Sequence, residues 1–166
     1  DWISEKIDDK DNVMFLGYGS IAEKVKTKNA HIINRSIRKQ DLIKQLDNVN
    51  CLVVSMTPEG NDNFVDEDIL KNFKGKIISV SRANVIDNTA LHNNLDNISH
   101  AYIDTLDSKH REELLESGKV TYTKHTAWSH NFSYENNQEY YSKLQIRILN
   151  PEAYNPVLPR TERVTF

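Results

Sequence analysis

The sequence predicts an α/β fold: a doubly wound parallel sheet of six strands with helices on both faces. Three observations predict it. Six short apolar runs, most of them rich in Val and Ile, have the length of buried parallel strands. Segments with apolar residues at helical spacing lie between them. The two patterns alternate from residue 13 onward and finish on a helix, which favours a parallel sheet coated on both sides. Six strands so arranged match the spatial order 3-2-1-4-5-6.

The elements follow in order. The first strand is 13–16, and a helix over 20–28 follows it. The second strand is 31–33, then a helix over 40–46 that buries Leu42, Ile43 and Leu46. The third, 51–54, opens on the single cysteine, Cys51, read as a packed thiol. Asp66 is placed to cap a helix through Phe73 that buries Ile69 and Leu70. After strand 76–80, Asn88 is placed to cap a helix that buries Leu91 and Leu95. Strand 100–103, a short helix over 111–116 and strand 120–122 complete the sheet. A longer helix over 135–149 sets Tyr141, Leu144 and Ile148 on one side, and an extended tail with Pro151, Pro156 and Pro159 ends the chain. Residues 1–150 are therefore expected to form one domain and 151–166 a tail.

Composition narrows the function. A chain of 166 residues suits one domain. Its 21 basic residues are spread among 24 acidic ones, for a net charge of −3, so no nucleic-acid footprint is expected. No apolar stretch reaches membrane-spanning length, and no signal-peptide pattern occurs. With one cysteine there is no internal disulfide, which fits a reducing compartment, and a cytoplasmic protein is expected.

The most informative segment is Gly17-Tyr18-Gly19-Ser20-Ile21-Ala22, which leaves the first strand and opens the first helix. It reads G-x-G-x-x-A. Gly17 permits the tight turn, Gly19 lets backbone amides approach a pyrophosphate, and Ala22 allows close helix–strand packing. The helix N-terminus then faces the phosphates. In this strand–turn–helix setting the motif predicts a Rossmann-type dinucleotide site, with Gly17, Tyr18, Gly19, Ser20 and Ile21 bordering the cofactor. The end of the second strand selects the cofactor. Where an NAD site places an acid for the ribose 2′-hydroxyl, this chain offers Asn34-Arg35-Ser36 and then Arg38. Arg35 and Arg38 can hold a 2′-phosphate and Ser36 can donate to it, so NADP is favoured over NAD. The same lack of an acid, and of a seventh strand, argues against an S-adenosylmethionine methyltransferase.

Three further motifs lie in the second half. Lys74-Gly75 leads into a strand and then Ala83-Asn84-Val85-Ile86-Asp87-Asn88-Thr89-Ala90-Leu91 behind Ser81-Arg82. Ala101-Tyr102-Ile103-Asp104-Thr105 follows, then Thr123-Lys124-His125-Thr126-Ala127. With the glycine loop, and in this order, they make the chain resemble the NAD(P)-binding domain of the D-isomer-specific 2-hydroxyacid dehydrogenases over residues 12–150. The resemblance implies roles. Arg82 matches the arginine that grips the substrate carboxylate and carbonyl. His125 matches the general acid/base that protonates the 2-keto oxygen during hydride transfer. Asp104 matches the aspartate near the nicotinamide carboxamide. Val80 and Ser81 lie where the nicotinamide is bordered, and Thr57 and Pro58 where the adenosine and ribose are. A homodimer is implied too.

The chain also departs from the family. The carboxylate that pairs with the histidine would fall at Lys109, and Asp107, Glu112 and Glu113 do not align with it. The proline before the histidine is Lys124, and the span from Ala22 to Asn34 is short. The family's substrate domain has no counterpart among these residues. Two readings follow: the cofactor domain of an NAD(P)-dependent oxidoreductase acting on 2-hydroxy or 2-keto acids, or a non-catalytic nucleotide-binding or dimerisation module. No metal is expected, because His125 and His130 stand five apart with no cysteine or second cluster nearby. Independently of the resemblance, Gly17, Thr57, Arg82, Asp104 and His125 each fall just past a predicted strand, at the edge where open parallel sheets bind ligands.

Overall fold

A computed structural model describes residues 2–25, 27–33 and 37–127. The expected helix over 135–149, the tail, His130 and the Asn34-Arg35-Ser36 segment lie outside the described residues. Six strands form one parallel sheet: β1 (Val13–Leu16), β2 (Ala30–Ile32), β3 (Cys51–Val54), β4 (Gly75–Ser79), β5 (Ile98–Ile103) and β6 (Val120–Tyr122). Four α-helices join them: α1 (Lys39–Gln45), α2 (Glu67–Asn72), α3 (Asn88–Asn93) and α4 (Arg111–Glu116).

The strand order is β2-β1-β3-β4-β5-β6, a correction to the expected 3-2-1-4-5-6. The cause is visible in the strands. β3 reads Cys-Leu-Val-Val and is buried at every position, so it needs neighbours on both sides and cover on both faces. β2 is exposed at every position and tolerates the edge. β3 therefore inserts beside β1, in register from Val13↔Cys51 to Leu16↔Val54, instead of adding outside β2. The reversal of direction, the topological switch point, falls between β1 and β3.

Handedness then distributes the cover. A right-handed crossover from β1 outward to β2 lies on one face, and every later crossover, running the other way, lies on the opposite face. Helices α1 to α4 accordingly pack on the face that carries Met14, Leu16, Leu52, Val54, Ile77 and Ala101, contributing Leu42, Ile69, Leu70, Leu91 and Leu114. The other face, with Val13, Phe15, Cys51, Val53 and Ile78, is covered by Ile3, Ala22 and Val25, with Trp2 and Ile7 alongside. Among the described residues helices thus coat one face, and the second carries short 3-10 turns at Ser4–Lys6 and Ala22–Lys24.

The first helix is the main local correction. The described residues of the span 20–28 do not form an α-helix; a single 3-10 turn, Ala22–Lys24, stands there. Its apolar set is Ala22 and Val25, three residues apart, which one turn can bury. A smaller correction concerns α3. Asp87 caps it, its side chain accepting from the Thr89 and Ala90 amides, and Asn88 is the buried first helical residue. Asp66 caps α2 as expected, accepting from Asp68 and Ile69.

Candidate active site

All six strands run one way, so every segment leaving a strand's C-terminal end emerges on the same edge. Gly17 follows β1 directly with φ +87°, a backbone angle that favours glycine. A Cβ there would lie 2.8 Å from the Ser55 carbonyl oxygen and 2.9 Å from the Met56 amide nitrogen. Gly17 is thus where the loops after β1 and β3 touch. Gly19 differs: no described residue lies within 4 Å of where its Cβ would be. The amides of Gly19, Ser20 and Ile21 donate to no described residue, while the Gly19 carbonyl accepts from Glu23 at 3.0 Å. Three backbone amides with open space beside Gly19 suit a pyrophosphate. The single turn that follows carries little dipole, so discrete amide bonds are what the loop offers an anion. Tyr18 and Ile21 flank it, exposed, with the Tyr18 ring edge-on to Phe15 at 5.9 Å.

Arg38, a candidate for a 2′-phosphate, projects into solvent and forks onto Asp41: Nη2 lies 2.7 Å and Nε 2.8 Å from Oδ2. Hydrogen bonds from Lys44 and Arg38 hold the Asp41 carboxyl below the usual carboxylate range. After β3, Thr57 is exposed and Pro58 half-buried in a turn closed by Asn61, which donates to both of their carbonyls at 2.8 and 3.0 Å.

Arg82 and His125 come together. They leave β4 and β6, on either side of β5, and Arg82 Nη1 lies 3.4 Å from His125 Nε2. A guanidinium only donates, so any hydrogen bond in this pair runs from Arg82 to His125 Nε2. Lys124 and His125 both adopt left-handed backbone, φ 55° and 60°, which is costly for non-glycine residues. Asp104, buried at the end of β5, holds that bend. Its carbonyl accepts from the His125 amide at 2.6 Å, and its Oδ1 accepts from the Thr123 hydroxyl at 2.5 Å and the Ala127 amide at 2.8 Å. Ser81, 4% exposed, donates to the Met56 carbonyl at 3.0 Å, and Val80 is half-buried beside it.

No carboxylate forms an ion pair with His125 among the described residues. Asp107 instead closes its own turn, accepting from the Lys109 amide at 2.9 Å and from Ser108, which lowers its carboxyl below the ordinary value. Glu113 lies 3.9 Å from His110. No group of three His, Cys, Asp or Glu side chains that could hold a metal occurs among the described residues, and no described helix is long and apolar enough to cross a membrane.

Sequence reasoning missed three hydroxyls of this edge. Ser55 donates to the Gly17 carbonyl at 2.6 Å, Thr105 to the Ser81 carbonyl, and Thr123 to Asp104. The available signal was a Ser or Thr one or two residues beyond each of β3, β4, β5 and β6.

Comparison with known proteins bears on this geometry. The family model for the D-isomer specific 2-hydroxyacid dehydrogenase, NAD binding domain, matches residues 10–127. No curated protein matches the chain by sequence. Among solved structures, a D-lactate dehydrogenase with NAD+ from Lactobacillus jensenii superposes with a TM-score of 0.71 at 18% identity, over 92% of this chain and 56% of that one. An NADPH-dependent glyoxylate/hydroxypyruvate reductase from Sinorhizobium meliloti gives 0.64 at 23% identity, over 89% and 53%. An acyclic imino acid reductase in complex with NADPH and D-Arg gives 0.68 at 21%, over 89% and 52%. At these identities the likeness is one of fold, and the chain spans about half the length of each.

Proposed function

This chain belongs to the D-isomer specific 2-hydroxyacid dehydrogenase family as its NAD-binding domain, and from that premise we propose that it forms the cofactor half of an NAD(P)-dependent oxidoreductase acting on a 2-hydroxy or 2-keto acid. The observation that carries the reading is the Arg82–His125 contact of 3.4 Å on the edge that also holds the open glycine loop. A bound reduced nicotinamide would supply the hydride to carbon 2 of the keto acid. The protein's own residues do the rest. The amides of Gly19, Ser20 and Ile21 hold the pyrophosphate, while Val80, Ser81 and Asp104 border the nicotinamide and Thr57 and Pro58 the adenosine. Arg82 turns from His125 to the substrate carboxylate, where two parallel hydrogen bonds replace one long one. That frees His125 Nε2, which, once protonated, gives its proton to the keto oxygen as the alcohol forms. Residues 1–150 serve as this domain and 151–166 as its tail, with the substrate lobe outside these 166 residues. The protein works as a cytoplasmic homodimer.

NADP is the preferred cofactor in this reading. Asn34-Arg35-Ser36 offers no carboxylate to a ribose 2′-hydroxyl, and Asp41 holds Arg38 through Nε and Nη2, leaving Nη1 for a phosphate. Arg35→Ala should weaken NADPH about tenfold, the size of one charge-assisted bond, and NADH little; equal losses defeat the preference. Turnover of glyoxylate or hydroxypyruvate with NADPH, abolished in Arg82→Ala and His125→Gln, tests the activity. One observation favours a second reading, a nucleotide-binding or dimerisation module: His125 has no carboxylate partner among the described residues. Tight NADPH binding with no turnover by the complete natural protein would support it.

A further inference from the structure

Four hydroxyl side chains follow one rule along the ligand-binding edge. Each stands one or two residues past a strand and donates to the loop of the preceding strand in space. Ser55, after β3, donates to the Gly17 carbonyl after β1 at 2.6 Å. Ser81, after β4, donates to the Met56 carbonyl after β3 at 3.0 Å. Thr105, after β5, donates to the Ser81 carbonyl after β4. Thr123, after β6, donates to Asp104 after β5 at 2.5 Å. The four bonds link neighbouring strands in the sheet's spatial order, β1-β3-β4-β5-β6, from the glycine loop to the histidine bend.

We propose that these bonds form a hydroxyl relay that holds the Arg82–His125 pair in register with the glycine loop, and that Thr105 is its positioning residue at that pair. The proposal rests on the reading of Arg82 and His125 as the reacting site. Thr105 is where the relay matters most. The backbone ladder between β4 and β5 ends at the Asp104 amide, which donates to Ser79 at 2.9 Å. Thr105 carries the pairing one bond further, onto the carbonyl of the residue before Arg82, while its own neighbour Asp104 carries the His125 bend. Arg82 and His125 are both exposed, so packing alone does not fix their separation. Tying their backbone supports together does.

Side-chain shape separates this role from mere packing. Thr105→Val keeps the volume and removes the donor; Thr105→Ser keeps the donor and removes a methyl. Using the whole chain, the ring-proton resonance of His125, assigned by its loss in His125→Gln, is followed by NMR with and without NADPH. Thr105→Val is expected to move that resonance and to weaken NADPH two- to tenfold, the cost of one lost hydrogen bond, and Thr105→Ser to restore both. Should Thr105→Val not fold, Thr123→Val takes its place, with Thr123→Ser as the rescue. A His125 resonance and NADPH affinity unchanged by the valine, or not restored by the serine, overturn the relay. Failure of the wild-type chain to bind either dinucleotide would instead sink the oxidoreductase reading, and the His125 resonance of the free chain would still test the relay.

Discussion

Gly17 sits where two requirements meet: a left-handed backbone angle and a neighbouring loop closer than any side chain allows. Gly17→Ala forces the Ser55–Met56 backbone to move away. It should cost about 2 kcal/mol in stability from the backbone angle alone, with more from the clash, and should abolish dinucleotide binding; urea unfolding and an NADPH titration check the two effects. Gly19→Ala makes a useful contrast, since its Cβ meets none of the described residues. It should leave stability within about 1 kcal/mol and still weaken the dinucleotide. Cys51 is buried, and that burial, with Asp11 adding to it, pushes the thiol up to about 12. Thiol reagents at neutral pH should therefore label it only in the unfolded chain. That the paired glycines, Arg82, Asp104 and His125 fall just past their strands is legible because each belongs to a motif with a fixed place after a strand. The bonds of Ser55, Thr105 and Thr123 are not, because the partner of each hydroxyl is a group on the adjacent loop, and which loop is adjacent depends on strand order.

Elements divide the same way. β1, β3, β6 and α4 keep the bounds the sequence predicts: β1 and β3 are continuous apolar runs, β6 alternates Val120, Thr121 and Tyr122, and α4 is a compact helical pattern. β2 shifts by one residue to Ala30–Ile32, and β5 begins at Ile98. The glycine loop opens on one 3-10 turn where a helix is expected, because the few apolar residues after it, Ala22 and Val25, need only one turn to be buried. Strand order escaped prediction because apolar pattern says how buried a strand is, and only the comparison of β2 with β3 says which one takes the edge. The caps give a quantitative test at this scale. Asp66→Ala and Asp87→Ala each lose a side chain that bonds two amides of the first turn, and each should cost about 1 kcal/mol. Asn88→Ala should cost less than Asp87→Ala in the same urea titration, because Asn88 Nδ2 is buried with no partner to lose among the described residues.

At the scale of the whole molecule, charge gathers at the strand beginnings, opposite the cofactor edge. Lys76 Nζ lies 2.6 Å from Asp8 and 2.8 Å from Asp11 and donates to the Lys6 carbonyl at 2.9 Å. Burial alone would lower the lysine; the bonds to Asp11 and Asp8 outweigh it and raise it above its ordinary value. Lys76→Met leaves the Asp11 carboxylate, 3% exposed, without its cation, and should cost about 3 kcal/mol. The pH dependence has a definite sign. Asp8, Asp41 and Asp68 are each lowered below 3.8 by hydrogen bonds from Lys76, Lys44 and Lys71 respectively. As pH falls below 3.8 the unfolded chain takes protons that the folded one refuses, so stability declines there and is held above. The raised Lys76 adds stability below 10.5 that fades as pH climbs past it. A melting-temperature profile flat near neutrality and falling at both extremes is the expected result; one that rises on acidification is incompatible with these pairings. The uneven coat of the sheet gives the first few residues a task out of proportion to their size. Among the described residues Ile3, with Trp2 and Ile7 beside it, packs in one cluster with Phe15, Val53 and Ile78, on the face where no described α-helix lies. Trimming this strand of chain would uncover Phe15, Val53 and Ile78 from the Ile3 side, so a shortened form should bind hydrophobic dyes more strongly than the full one, even with every residue of the dinucleotide edge intact.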